Sequence, residues 1–141
     1  MKRKTTPLIA ALLLASMLFT LPAAAANAPS EPGISPYYKS VSSIAANLSI
    51  TSSGKAECYG YIKVTPSTNS FTLTMTLQRL TDGSWTYVTS WATSGTGSSS
   101  LSKSYYVTHG YYYRVKLVAS VSTSSGSFVE QVTSYSNSVY Y

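Results

Sequence analysis

Few side chains in this sequence could carry acid–base, nucleophilic or metal chemistry. Among its 141 residues the chain has one histidine, His109, one cysteine, Cys58, and four carboxylates. No second ligand stands at a metal-binding spacing from His109, which directly precedes a glycine. Cys58 lies within an alternating apolar pattern, which is typical of a small buried side chain rather than of a nucleophile. We therefore predict a protein that is not an enzyme and has no catalytic residue, cofactor or metal.

The carboxylates do not form a recognisable catalytic pair. Glu57 and Glu130 would be the two acids that glycoside hydrolysis requires, but they lie on distant predicted strands. Asp82 precedes a glycine, in a segment that predicts a turn. We interpret the two glutamates as surface residues and Asp82 as a turn residue.

The N-terminus has the pattern of a secretory signal peptide. Basic residues 2–4 precede an apolar run over residues 8–21, and small residues follow it. This run is shorter than the roughly 20 residues that a membrane-spanning helix requires, which disfavours a retained anchor. A signal peptide of residues 1–26 predicts a secreted, extracellular protein with no membrane anchor after cleavage. Residues 27–38 then form a flexible proline-rich arm, and residues 39–141 form the folded domain.

The charge of the chain argues against nucleic acid as a partner. Three of the ten lysines and arginines lie in the predicted signal peptide, and the other seven form no cluster. Nucleic-acid binding requires several cations gathered on one face. The 13 tyrosines argue against disorder, because aromatic residues are scarce in disordered segments.

Period-two alternation of apolar and polar residues dominates the chain after the arm. It predicts seven strands, at residues 44–50, 56–64, 71–77, 85–92, 101–107, 111–121 and 128–141. A break of the seventh strand near residues 134–138 is an open alternative. The glycine- and serine-rich residues 93–100 predict a mobile connection between the fourth and fifth strands. Short strands with turn signals at regular intervals favour a single antiparallel β-sandwich, with a small β-barrel as the alternative.

The Asp82-Gly83 pair is the strongest local signal, because this dipeptide favours a tight hairpin turn. A symmetric turn there would place the large aromatic residues of the fourth strand on the side away from the core. Outward residues of the neighbouring sixth strand would extend the same surface. A one-residue bulge would invert the parity and bury both tryptophans. The predicted ligand face consists of Trp85, Tyr87, Trp91, Tyr112 and Arg114.

The segment HGYYYRVKLVASV, residues 109–121, resembles the sixth strand of immunoglobulin-like and fibronectin type III domains. In those families a turn glycine precedes a tyrosine, and apolar residues follow two and four positions later, as after Gly110 and Tyr113. The resemblance implies a β-sandwich in which the Tyr113 hydroxyl bonds to the backbone at a corner. The second strand lacks the tryptophan of those families, and the chain lacks their cysteine pair. Taken whole, the chain also resembles small exported proteins of Gram-positive bacteria, a likeness that implies no activity.

These features predict a non-enzymatic extracellular binding module whose partner is a glycan or a protein surface. Flat aromatic rings beside hydroxyl groups suit sugar rings, and tyrosine, tryptophan and arginine are also frequent in protein-binding hot spots. One alternative is a carbohydrate-binding module that uses the outward aromatic face. Others are a secreted antimicrobial or competition protein and a self-associating matrix subunit with exposed edge strands.

Overall fold

The computed structural model describes residues 37–141. The predicted signal peptide, and all but the last two residues of the predicted arm, lie outside the described residues. Within this part of the chain no helix is long and apolar enough to span a membrane.

Eight strands form two antiparallel sheets. They are β1 (Val41–Ile50), β2 (Lys55–Val64), β3 (Ser70–Thr81), β4 (Ser84–Thr96), β5 (Ser98–Tyr106), β6 (Tyr112–Ser122), β7 (Phe128–Tyr135) and β8 (Val139–Tyr140). The smaller sheet has the order β1-β2-β5, and the larger has the order β4-β3-β6-β7, with β8 also paired to β6. The two sheets remain separate and do not close on each other, so the predicted β-sandwich is confirmed and the barrel alternative is wrong. The predicted seventh strand is divided into β7 and β8.

The core lies between the sheets and follows from the alternation of the sequence. In β2 the inward residues are almost fully buried and the residues between them face solvent. In the central strands of the larger sheet every second residue is likewise buried, over the whole of β6 and in β3 up to Leu77, while the residues between them are half-buried or exposed. The buried apolar residues of these three strands are Ala56, Cys58, Ile62, Val64, Phe71, Leu73, Met75, Leu77, Tyr113, Val115, Leu117, Ala119 and Val121. Removal of these side chains from water is the main force that holds the two sheets together.

Gly60 sets how closely the two sheets approach at the centre of the core. A Cβ atom added at Gly60 would lie 2.7 Å from Cδ2 of Leu117 and 3.5 Å from Sδ of Met75. Side chains of the larger sheet therefore occupy the space that any other residue type would need. The backbone of β2 packs directly against them, which is one of the established reasons for a glycine inside a strand.

The predicted mobile connection at residues 93–100 is wrong. β4 continues to Thr96, and β5 begins at Ser98, so that Gly97 alone separates the two strands. Pairing with the first half of β3 satisfies the backbone of residues 93–96, and pairing with β2 satisfies that of residues 98–100. Gly97 has φ +71°, and its carbonyl accepts a hydrogen bond of 2.7 Å from the Val64 amide. The chain therefore passes from the larger sheet to the smaller one through a single left-handed residue.

Glu130 ties the beginning of β1 to β7. Its Oε1 accepts hydrogen bonds from the amides of Ser40 at 2.6 Å and Val41 at 3.0 Å, and its Oε2 accepts one from Lys39 at 3.0 Å. Partial burial alone would raise the pKa of the Glu130 carboxyl, but the three donated bonds outweigh it and lower the pKa below its usual value. Because β1 belongs to the smaller sheet and β7 to the larger, these bonds join the two sheets.

Candidate binding face on the larger sheet

The hairpin between β3 and β4 turns through Asp82 and Gly83. Both residues have positive φ, +49° and +78°, as in a type I′ turn. Thr81 pairs with Ser84, so the loop contains two residues. The prediction of a tight Asp-Gly turn is confirmed.

The register follows the prediction only in the first part of this hairpin. Leu80 lies opposite Trp85 as predicted, but the pairing then shifts by one residue because Val88 is an extra residue in β4. Such a β-bulge inverts the parity of the remaining strand. Trp91 consequently lies opposite Met75, on the inner side of the sheet, where it packs against the core. The predicted position of Trp91 on the ligand face is therefore wrong.

Before the bulge, aromatic side chains gather on the outer side of the larger sheet, near the hairpin turn. We call this group the aromatic end; it consists of Trp85, Tyr87, Tyr112, Arg114, Tyr135 and Tyr140. The exposed fractions are 68% for Tyr87, 56% for Tyr140, 43% for Tyr112 and 42% for Tyr135. The rings of Tyr112 and Tyr140 lie 5.1 Å apart between centroids. The structure thus places four of the five predicted ligand-face residues, all except Trp91, on one side of one sheet.

Arg114 is held between two aromatic rings. Its guanidinium carbon lies 4.3 Å from the ring centroid of Trp85 and 4.2 Å from that of Tyr135. Its Nε donates a hydrogen bond of 2.9 Å to Oε1 of Gln78. These distances are typical of cation–π contacts, which are stronger for arginine and tryptophan than for most other pairs. The stack includes residues of β4, β3, β6 and β7. Trp85 is partly buried in it, so its ring positions Arg114 and is less accessible to a ligand than the exposed tyrosines.

The outer side of the larger sheet carries positive charge. Lys116 follows Arg114 at the next alternate position of β6 and points to the same side. The carboxylates of the described residues lie elsewhere. Glu57 belongs to the smaller sheet, Asp82 lies in the hairpin turn beyond the last paired residues, and Glu130 binds the beginning of β1.

Farther from the hairpin turn, hydroxyl groups line the same side of the sheet. A shallow, open depression of about 390 Å³ lies there. The hydroxyl residues around it are Ser70, Thr72, Ser94, Thr96, Ser120 and Ser122. We call this region the hydroxyl end. It offers uncharged hydrogen-bond donors and acceptors at the other end of the same strands from the aromatic end.

Two residues of the aromatic end, and the glutamine that binds Arg114, were not predicted from the sequence. Tyr135 and Tyr140 lie on β7 and β8, and Gln78 lies on β3. A count of alternate positions outward from the apolar residue Val132 would have placed Tyr135 on the outer side. The contact of Gln78 with Arg114 depends on the pairing of β3 with β6, which alternation alone does not specify.

Tyr113 has a structural position rather than a place on the outer surface. Its ring is 1% exposed, and its hydroxyl donates a hydrogen bond of 2.6 Å to the carbonyl of Thr108. This bond spans the loop that contains Gly110, and it has the form that the family resemblance implies. Burial raises the pKa of the Tyr113 hydroxyl above its usual value.

The side chains with catalytic potential do not lie together, and each has a separate structural environment. Cys58 is 1% exposed, and burial raises the pKa of its thiol to about 11, which keeps it protonated at neutral pH. The His109 ring lies edge-on to that of Tyr141, with centroids 5.2 Å apart, and Glu57 pairs with Lys55 at 3.4 Å. Among residues 37–141, no group of three or more His, Cys, Asp and Glu side chains could hold a metal ion.

No known protein family matches this chain, and a search of curated proteins also finds no match. The function is therefore inferred from the geometry of residues 37–141 and from the sequence.

Proposed function

We propose that the protein is a secreted, non-enzymatic binding module that holds a saccharide on the outer side of its larger sheet. Secretion is inferred from the sequence pattern of residues 1–26. The observation that supports binding is the aromatic end, where four tyrosines remain 42–68% exposed around the stacked Arg114. A surface patch of this kind on a soluble domain usually marks an interaction site, because exposed aromatic area gains free energy when a partner covers it.

The chemistry of the face favours a sugar ligand. Tyrosine rings present flat apolar surfaces on which the carbon–hydrogen face of a sugar ring can stack, while their hydroxyl groups stay available for hydrogen bonds. The hydroxyl end continues this surface along the same strands with short serine and threonine side chains. A saccharide has both an apolar ring face and many hydroxyl groups, so it can use both regions at once.

A protein partner would use some of the same residue types, but it fits the rest of the face less well. Protein interfaces have a fully buried apolar centre inside a polar rim. Here the outer side chains of β3 beyond the aromatic end bear hydroxyl groups, and the depression at the hydroxyl end is shallow and open. This arrangement supports a glycan as the ligand over a protein surface.

We also infer that the domain is related to the immunoglobulin-like and fibronectin type III folds. The division of the strands into β1-β2-β5 and β4-β3-β6-β7 and the bond from Tyr113 to Thr108 support this relation. It bears on the fold alone, because domains of this architecture have many different functions.

A glycan array tests the proposed function. The exported protein should bind a subset of the polysaccharides on the array, and the double variant Tyr87→Ala with Tyr135→Ala should lose about tenfold in affinity because two stacking rings are removed. Tyr106→Ala is the matched control, since Tyr106 is 69% exposed, close to the 68% of Tyr87, but lies on the smaller sheet. Binding to no glycan, or an equal loss in the control, would contradict the proposal.

A further inference from the structure

Among residues 37–141, the charged side chains on the outer side of the larger sheet are all cationic, whereas the smaller sheet carries an ion pair of Lys55 and Glu57 beside its other lysines. Only 10% of the residues are charged, yet Arg114 and Lys116 stand two positions apart on β6, on the same outer side. Alternate residues of a strand lie about 6.6 Å apart, so the two cations form one positive site. None of the described carboxylates belongs to the paired outer positions of the larger sheet.

The two cations differ in how they are held. The guanidinium group of Arg114 has a fixed orientation because the rings of Trp85 and Tyr135 lie on either side of it. Lys116 is partly exposed and has no ion-pair partner among residues 37–141. Its ammonium group is therefore available for a partner, while Arg114 adds permanent positive charge beside the tyrosine rings.

From this distribution we propose that the ligand is a linear acidic polysaccharide whose sugar rings carry carboxylate or sulfate groups. This inference rests on the proposed function and adds the charge of the ligand to it. The sugar rings stack on the tyrosines, and an anionic substituent lies beside Lys116. The outer positions of β3 from Ser70 to Leu80 extend over about 33 Å, which is long enough for several consecutive sugar units.

Other anionic partners fit these observations less well. Attraction to an anionic membrane usually requires a cluster of four to eight basic residues, and nucleic-acid binding requires several phosphate contacts. This face has two cations among tyrosine and hydroxyl side chains. A polymer that combines sugar rings with widely spaced negative charges matches that composition.

The test uses polysaccharides that differ in charge but share a backbone. Binding of the exported protein is measured by calorimetry with polygalacturonate and its methyl ester, and with a sulfated polysaccharide and its desulfated form. The same measurement is made with neutral polysaccharides and with phosphatidylglycerol vesicles. We expect binding to at least one acidic polymer, loss of that binding when the charge is removed, and weaker binding at higher salt concentration.

Two lysine variants connect the charge preference to this face. Lys116→Gln should weaken binding to the acidic polymer about two- to five-fold, which is the range of one exposed ion pair. Lys63→Gln is the matched control, because Lys63 is exposed on the outer side of β2 in the smaller sheet. The melting temperature of each variant shows whether the fold is intact.

Each remaining outcome contradicts the inference in a distinct way. Equal binding of charged and uncharged polymers that still depends on Tyr87 would overturn the charge preference and leave the proposed function standing. Preference for the vesicles would indicate a membrane surface instead. Binding to none of these probes would overturn both proposals, and equal effects of the two lysine variants would place the anion outside this face.

Discussion

Replacement of Glu130 by alanine should destabilise the domain strongly, although this side chain is only partly buried. The carboxylate accepts hydrogen bonds from three consecutive backbone amides, those of Lys39, Ser40 and Val41. A hydrogen bond to a charged group contributes about 1.5–3 kcal/mol. The Lys39 bond is exposed to solvent and contributes least, whereas the Ser40 and Val41 bonds are partly buried. Since contributions of neighbouring bonds do not add fully, we expect a loss of about 3 kcal/mol in the free energy of unfolding.

This contribution should depend on pH in a defined direction. The pKa of Glu130 is lowered in the folded protein, so its stabilisation is fully present above the pKa of the unfolded chain, about 4.3. It is lost as the pH falls through the lower pKa of the folded state. The difference between native protein and Glu130→Ala should therefore be largest near neutral pH and should shrink in acid.

Thermal and urea unfolding, followed by circular dichroism at neutral and acidic pH, measure both effects. For a domain of about 100 residues, 1 kcal/mol corresponds to about 4–8 °C, so the melting temperature should fall by roughly 12–24 °C at pH 7. Glu57→Ala is the matched control, because Glu57 makes a surface ion pair with Lys55 that contributes less than about 1 kcal/mol. A loss at Glu130 no greater than that at Glu57, or a difference that does not change with pH, would refute the reasoning.

Three further predictions concern the core. Gly60→Ala should destabilise the domain by about 1–3 kcal/mol, because the new methyl group would collide with Leu117; an unchanged urea midpoint would contradict this. Tyr113→Phe should cost about 1 kcal/mol, because the Thr108 carbonyl loses its hydroxyl partner; chemical denaturation measures the loss, and a neutral result would show that water replaces the bond. Cys58 should resist a thiol reagent at pH 8 in the native protein and react completely in denaturant, because burial raises its pKa to about 11; rapid labelling of the native protein would exclude the buried position.

The sequence predicted the parts of the fold that follow from local patterns. The alternation in β2, β3 and β6 predicted both the strands and the side that they bury, because a half-exposed strand requires apolar residues at every second position. The Asp82-Gly83 dipeptide predicted the hairpin turn, because both residues tolerate positive φ.

The features that were missed depend on contacts between distant segments. Residues 93–100 are poor in apolar side chains. Residues 93–96 form strand because β4 pairs with β3, and residues 98–100 form strand because β5 pairs with β2. The role of Glu130 could not be predicted from the sequence, because its three partners are backbone amides 89 to 91 residues earlier. Every residue type except proline has a backbone amide, so residue types do not identify such partners. The position of Trp91 depended on a bulge at Val88, a residue that fits a regular strand equally well.

The bulge at Val88 makes the composition of the surface depend on where β4 accommodates its extra residue, as well as on which residues the strand contains. Deletion of Val88 would restore regular pairing and leave Trp91 opposite Met75, on the inner side of the larger sheet. A strand that kept Val88 without the bulge would instead place Trp91 opposite Thr74, on the outer side. One extra residue between the turn and Trp85 would move Trp85 and Tyr87 from the outer to the inner side. In this hairpin, a change of one residue in length could exchange an aromatic side chain between core and solvent, so that related proteins of similar sequence could present different surfaces.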